Sequence, residues 1–331
     1  MSYLYITENG AVMNINGGYF EVNYKNGMVH KIPKETLESV SLFGNVSVTT
    51  PCVREMLKRG IPVSYFSTSG AYFGRLVSTS HKNIKRLKKQ IYASEDNEFS
   101  IIIAKNIIKE KINNQIVLLR RYVRNTDKDL RYEIEYMTSL KDKIVKSSKY
   151  NEIIGYEGNA AKYYFQGLSK IIKPEFAFKG RNRMPPKDPF NSLISLGYTL
   201  IMYEIYGEIE NKGLSPFCGF LHKDHENHPT LASDLMEEWR AVVVDSVVMS
   251  LIQGNEISTD DFTFDKENGG VFLTNNAMKI FIRKYESKMR CENTYLGNRS
   301  TYRKCLWHQV NALVNAIEQN EPELYKPVSI R

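Results

Sequence analysis

The hydrophobic period of this chain changes once, near residue 80, and that change limits the fold more than any single motif does. From Ser2 to about Val77 apolar residues alternate in short runs divided by turn signals: YLYIT, ENG, AVMNI, NGG, YFEVNY, KNG and MVHKIP. Alternation with period two sets one face of an extended strand against a core, and Asn-Gly supplies the positive φ angles a tight hairpin needs. A β meander is predicted. A short helix is expected over CVREMLKRG, closed by Gly60, and a further hairpin over IPVSYFSTSGAYFGRLV, turning at Ser69-Gly70.

After Ser80 the spacing becomes helical and stays so. HKNIKRLKKQIYAS, EFSIIIAKNIIKEKINNQIVLLRRYVRN and DLRYEIEYMTSLKDKIVKSS place apolar residues three and four apart, with Lys, Arg and Glu between them. FKGRNRMPPKDPFN reads as a loop, with Asp188 set as a helix cap and Pro189 at the first helical position. SLISLGYTLIMYEIYGEIENKG is apolar nearly all round, as a central buried helix would be, and Gly213 stops it. Further helices are expected at 231–253, 274–290 and 300–319. TDDFTFDKENGGVFL is a small excursion between helices, and the tail EPELYKPVSIR is expected to be loosely held.

The predicted class is therefore α+β, with a small β-sheet domain over residues 1–80 and a larger all-α domain over 81–331. The 331 residues suffice for two cores. A small sheet so rich in Tyr and Phe has little volume in which to bury them, and its edges need cover, so the β domain is assigned to dimerisation, although the sequence also permits the sheet to fold back onto its own helical domain.

No apolar run approaches the ~20 residues of a membrane span. MSYLYITENG lacks a basic segment followed by an apolar one, so the chain is expected in the cytoplasm. Cys52, Cys218, Cys291 and Cys305 form no CxxC pair, which argues against a disulfide framework or a four-cysteine zinc site. The net charge of +8 favours a polyanionic partner. Lys82, Lys85, Arg86, Lys88 and Lys89 form a dense basic cluster, suited either to solvent or to a phosphate backbone.

Three distant segments offer metal-ligating side chains. GYEGNAAKYYF carries Glu157, flanked by Gly155, Gly158, Ala160 and Ala161, whose small side chains leave it accessible; GFLH ends at His222. SDLMEEWR places Glu237 and Glu238 three and four residues after Asp234, so the three carboxylates would share one helical face. Carboxylates with an imidazole make a mixed N/O set suited to Mn²⁺ or Mg²⁺ and to phosphoryl chemistry. Helix capping explains the acidic residues equally well when that segment is read alone. A zinc hydrolase built on His222, His225 and His228 is a further reading. Arg181, Arg183 and Lys187, with Lys162, are the candidate contacts to a DNA backbone.

The order and spacing of several segments resemble the CRISPR adaptation integrase family, the DNA endonuclease called Cas one. The resemblance rests on Gly155, Glu157, Gly158, Ala161, Tyr164 and Phe165; on the loop from Arg181 through Arg183, Pro185, Pro186, Asp188 and Pro189 to Asn191; on His222; and on Leu231 to Glu237. It covers essentially the whole chain. It implies a metal site of residues matching Glu157, His222 and Glu237, with Asp234 and Glu238 as neighbours, one of which could replace Glu237 as ligand. It further implies integration of short captured DNA, the 3′-OH ends attacking a CRISPR repeat by phosphodiester transesterification. The implied partners are DNA, a second copy of the chain and the small adaptation protein Cas two. The competing reading is a non-catalytic nucleic-acid-binding scaffold.

Overall fold

A computed structural model describes residues 2–79, 83–124, 126–223, 225–295 and 297–329. Lys82 of the basic cluster lies outside the described residues. The N-terminal region runs β1 (Ser2–Ile6), β2 (Val12–Asn16), β3 (Tyr19–Asn23), β4 (Val29–Pro33), β5 (Leu37–Phe43), β6 (Ser47–Val48), α1 (Thr50–Arg59), β7 (Val63–Phe66) and β8 (Tyr72–Leu76).

The strands fall into two four-stranded sheets, ordered β4-β3-β2-β6 and β1-β5-β7-β8. The predicted meander is confined to β2, β3 and β4, which pair antiparallel in sequence order. β1 instead pairs parallel to β5, and β5 parallel to β7. Alternation says which face of a strand is buried and not which strand lies beside it. The helix α1, lying between β5 and β7 in the chain, supplies the long crossover that parallel pairing requires. The hairpin of β7 and β8 forms as predicted, with Gly70 at φ 89°.

Ile6, Met13, Phe20, Val22, Val40, Leu42, Met56 and Val63 make a core of their own. Phe43 and Phe66, stacked with ring centroids 4.8 Å apart, belong instead to the larger core of the helical region. Arg303 strengthens the same junction: it pairs with Glu204 and Glu286, lies 3.7 Å from the Tyr3 ring, and shares Glu286 with the Tyr5 hydroxyl.

The helical region comprises α2 (Ile84–Glu95), α3 (Asn97–Val123), α4 (Arg131–Lys146), α5 (Tyr150–Ile171), α6 (Pro189–Asn211), α7 (Thr230–Met236), α8 (Ser246–Gln253), α9 (Asn275–Arg290) and α10 (Tyr302–Gln319). Two hairpins interrupt it, β9 (Phe262–Phe264) with β10 (Val271–Leu273) and β11 (Glu292–Tyr295) with β12 (Asn298–Thr301). The central helix α6 starts as its sequence dictates, for the Asp188 carboxylate accepts the Asn191 amide hydrogen bond at 2.8 Å ahead of Pro189.

Three expectations fail here. Residues 231–253 are not one helix, because α7 ends at Met236 and a π-helical stretch, Arg240–Asp245, precedes α8. The tail is not loose: Tyr325 and Val328 are buried. The basic cluster is partly spent inside the molecule, since Arg86 and Lys89 bind the Glu318 side chain and carbonyl at the end of α10. No described helix is long and apolar enough to cross a membrane.

Candidate active site

α3, α5 and the end of α7 bring two carboxylates to one ammonium. Lys111, on α3, contacts Glu157 of α5 and stands 2.6 Å from Oε2 of Glu237. The second oxygen of Glu237 lies 2.9 Å from Nη2 of Arg240. Lys111 and Glu237 are almost fully enclosed, whereas the Glu157 side chain is 23% exposed and opens the cluster to solvent. A Cβ added at Gly155 or Gly158 would meet nothing within 4 Å, so the surroundings of Glu157 are open as the sequence suggested.

Charge sets the protonation of this cluster. Burial pushes the Glu237 carboxyl up, but Arg240 and Lys111 outweigh it and hold the group well below the usual range. Burial pulls the Lys111 ammonium down, and Glu237 and Glu157 reverse that. The result is a buried cation fixed between anions.

Asp234 has a different task. Its Oδ2 accepts the backbone N–H groups of Phe220 and Leu221 at 2.7 and 2.8 Å. Its Oδ1 accepts that of His222 at 3.0 Å and lies 2.6 Å from His222 Nδ1. A Cβ at Gly219 would come within 2.6 Å of Asp234 Oδ2, so only glycine lets this loop wrap the carboxylate. Held at Nδ1, His222 keeps Nε2 as its other donor atom, and its side chain is 40% exposed. Burial lowers the imidazole pKa, but the Asp234 bond and the charges of Asp234 and Glu237 raise it overall.

The prediction that Asp234, Glu237 and Glu238 share one face is wrong. Glu238 points the other way and is sealed by the tail, accepting hydrogen bonds from the Tyr325 hydroxyl and the Val328 amide. Burial raises its carboxyl to about 8. The regular α spiral stops before Glu237, so heptad-like spacing no longer dictates direction. Asp234 has its oxygens turned to three amides and the imidazole, and Glu238 lies in the interior.

The candidate DNA contacts also separate. Arg181 is turned inward, its guanidinium bonded to Asn191 Oδ1 at 2.9 Å and Ser195 Oγ at 3.0 Å and set 5.6 Å from the Tyr198 ring. Lys187 reaches the Asn268 carbonyl at 2.7 Å. Arg183 and Lys162 are exposed and make no hydrogen bond or ion pair among the described residues. The zinc reading fails: His225 binds the Glu226 carbonyl, His228 binds Ser233 Oγ, and only His222 faces Asp234.

Sequence reasoning missed Lys111 and Arg240. A signal for Lys111 existed, because it occupies the same buried stripe of α3 as Ile107, Ile108, Gln115 and Ile116. Arg240 belongs to a buried chain: its guanidinium lies 4.8 Å from the Tyr198 ring, and the Tyr198 and Tyr164 hydroxyls both donate to Asp245. The π-helical stretch thus carries a site residue at one end and its tyrosine-bound anchor at the other.

Could these residues hold a divalent ion? Among the described residues no three His, Cys, Asp or Glu side chains are gathered closely enough to do so as they stand. The donor chemistry nevertheless fits. Glu237 Oε2 is a buried carboxylate oxygen, the donor type that a divalent ion takes, and it already faces a cation in the Lys111 ammonium at 2.6 Å. Glu157 shares the same cation, and His222 is electrostatically coupled to Glu237.

Comparison with known proteins agrees with the fold. A family model described as CRISPR associated protein Cas1 matches residues 4–287. A CRISPR-associated endonuclease Cas1 of Mycobacterium tuberculosis is 35% identical over 333 residues, which span 100% of this chain and 98% of that protein. A Cas1 protein from Thermotoga maritima superposes with a TM-score of 0.83 at 22% identity, over 96% of this chain and 97% of its own. A chain of a Cas6-RT-Cas1–Cas2 complex gives a TM-score of 0.85 at 25% identity, matched over 100% of this chain and 36% of that longer one.

Proposed function

The chain belongs to the Cas1 family of CRISPR associated proteins, and from that premise we propose that it is a metal-dependent DNA endonuclease and integrase of CRISPR adaptation. It joins the 3′-OH ends of short captured DNA to a CRISPR repeat by phosphodiester transesterification. The observation that carries this reading is the convergence of Glu157 and Glu237 on one buried cation, beside an imidazole fixed through Nδ1. A scaffold that only bound nucleic acid would have no use for two carboxylates gathered where a phosphate must approach.

Glu157, His222 and Glu237 would hold Mn²⁺ or Mg²⁺. When bound, such an ion neutralises charge on the phosphate and stabilises the attacking or leaving oxygen. The remaining work falls to the protein. Asp234 fixes the imidazole by occupying Nδ1, and three backbone amides fix Asp234. Arg240 holds one oxygen of Glu237, keeping that carboxylate ionised and in place. The open space beside Gly155 and Gly158 admits the DNA backbone to Glu157. Arg183 and Lys162 grip phosphates, which positions a strand without reading its bases.

The partners of this reading are DNA, a second copy of the chain and Cas2. The relative from M. tuberculosis is named an endonuclease, and the 25%-identical chain comes from a complex that contains Cas2. β8 lies at a sheet edge and leaves Phe73 exposed, which suits pairing between copies. The test is a strand-transfer assay with a supercoiled repeat-bearing plasmid, short duplex DNA, Cas2 and Mn²⁺ or Mg²⁺. Joining at the repeat boundary that chelation abolishes is expected; metal-independent joining, or binding with no joining at all, would contradict the proposal.

A further inference from the structure

Lys111 is the one site group that the reaction just proposed does not use, and its placement is costly. An ammonium buried to 5% exposure must be matched by charge, and here it is matched by both candidate ligand carboxylates at once. It enters from α3, on an otherwise apolar and amide-lined stripe, and reaches the space between Glu157 and Glu237. Arg240 already neutralises the far oxygen of Glu237, so the near oxygen, Oε2, is left to Lys111 alone. The ammonium stands 2.6 Å from that oxygen.

We propose that Lys111 is a tethered counter-cation that occupies the place of the divalent ion, keeps the two carboxylates together while the site is empty of metal, and must withdraw when metal enters. Lys suits this role better than Arg. Its ammonium is a compact point charge on a flexible stem and leaves without breaking a bidentate fork. The consequence is a site of deliberately weakened metal affinity, because binding exchanges one cation for another. Lys111 is therefore a positioning residue. The proposal rests on the metal-dependent reading above and deepens it.

Mn²⁺ titration of the full chain, followed by loss of the free-ion EPR signal and by thermal midpoint with and without metal, tests it without reference to activity. Lys111→Met removes the charge and keeps the length. It is expected to bind Mn²⁺ at least about tenfold more tightly than the unaltered chain, since a like charge beside the ion is gone. Its metal-free midpoint should fall and be restored by Mn²⁺. Lys111→Arg, whose forked guanidinium grips both carboxylates, should bind about tenfold more weakly. Glu237→Gln defines what is site-specific.

Equal or weaker Mn²⁺ binding by a folded Lys111→Met chain, with binding in the unaltered chain still lost in Glu237→Gln, overturns the counter-cation role and leaves the metal site standing. If Lys111→Met does not fold, unaltered or tighter binding by Lys111→Arg overturns the role in its place. Absence of Glu237-dependent binding in both the unaltered chain and Lys111→Met overturns the metal reading and this proposal together.

Discussion

Asp234 and Glu237 are three residues apart and have opposite fates, which shows how much of this site is decided by partners and not by residue type. Asp234 faces three backbone amides and an imidazole nitrogen, so its role is to hold His222. Glu237 faces only cations, a guanidinium at one oxygen and an ammonium at the other. Replacing Glu157 by Gln, His222 by Ala or Glu237 by Gln should each lower strand transfer by about a thousandfold or more, corresponding to the loss of ~4 kcal/mol of transition-state stabilisation. Only Glu237→Gln should also destabilise the fold, by about 3–5 kcal/mol, because it leaves Arg240 and Lys111 buried with too little counter-charge. Thermal melts beside the strand-transfer assay check both halves. Activity surviving in Glu237→Gln would remove it from the ligand set. Glu157, His222 and Glu237 could be named as candidates from the sequence because donor chemistry is in the side chain itself. Lys111 carried a weaker signal, for its place on the apolar stripe of α3 marks burial but not the two distant glutamates that it meets.

At the scale of elements, periodicity reveals a helix or a strand and says little about where either turns aside. The caps were readable: Asp188-Pro189 starts α6 and Gly60 follows α1 in the left-handed region. The change from α to π winding after Met236 was not, for SDLMEEWRAVVVDSVV has unbroken apolar spacing across it. Glu237 and Glu238 sit in the turn before the π winding starts at Arg240, neighbours that helical geometry sets about 100° apart. The loop from Arg181 to Lys187 shows the same limit, since three basic residues with one sequence reading divide into an inward anchor, a lysine tied to a carbonyl and an exposed cation. Replacing Arg183 and Lys162 together by Gln should therefore reduce the slope of log affinity against log salt by about 1.8 on duplex DNA, at about 0.9 per phosphate contact. Arg181→Gln should leave the slope unchanged and lower the melting temperature instead. A slope unmoved by the double variant would return both residues to a solvated surface.

The whole molecule joins a strand-rich region to a helical one through shared core and shared charge. Phe43 and Phe66 pack into the helical core, and Arg303 ties Tyr3 and Tyr5 to Glu204 and Glu286. The class and the order of the two regions were legible because the period changes only once. The parallel pairing of β1 with β5 was hidden, as long-range pairing leaves no local mark. With its second sheet ending at β8 and Phe73 exposed there, the chain of 38.2 kDa should show a doubled mass by light scattering at low micromolar concentration and keep it in high salt. Phe73→Glu should shift it toward the monomer, and a monomeric mass for the unaltered chain would refute pairing.

Whether Glu157, His222 and Glu237 form one divalent-ion site can be seen in a crystal. Crystals of the full chain soaked in Mn²⁺, measured for anomalous scattering at the manganese edge, test it most directly. One strong peak touching all three side chains is expected, with the Lys111 ammonium moved out from between the carboxylates. No peak there, or a peak bound elsewhere while Lys111 stays in contact with Glu157 and Glu237, would contradict it.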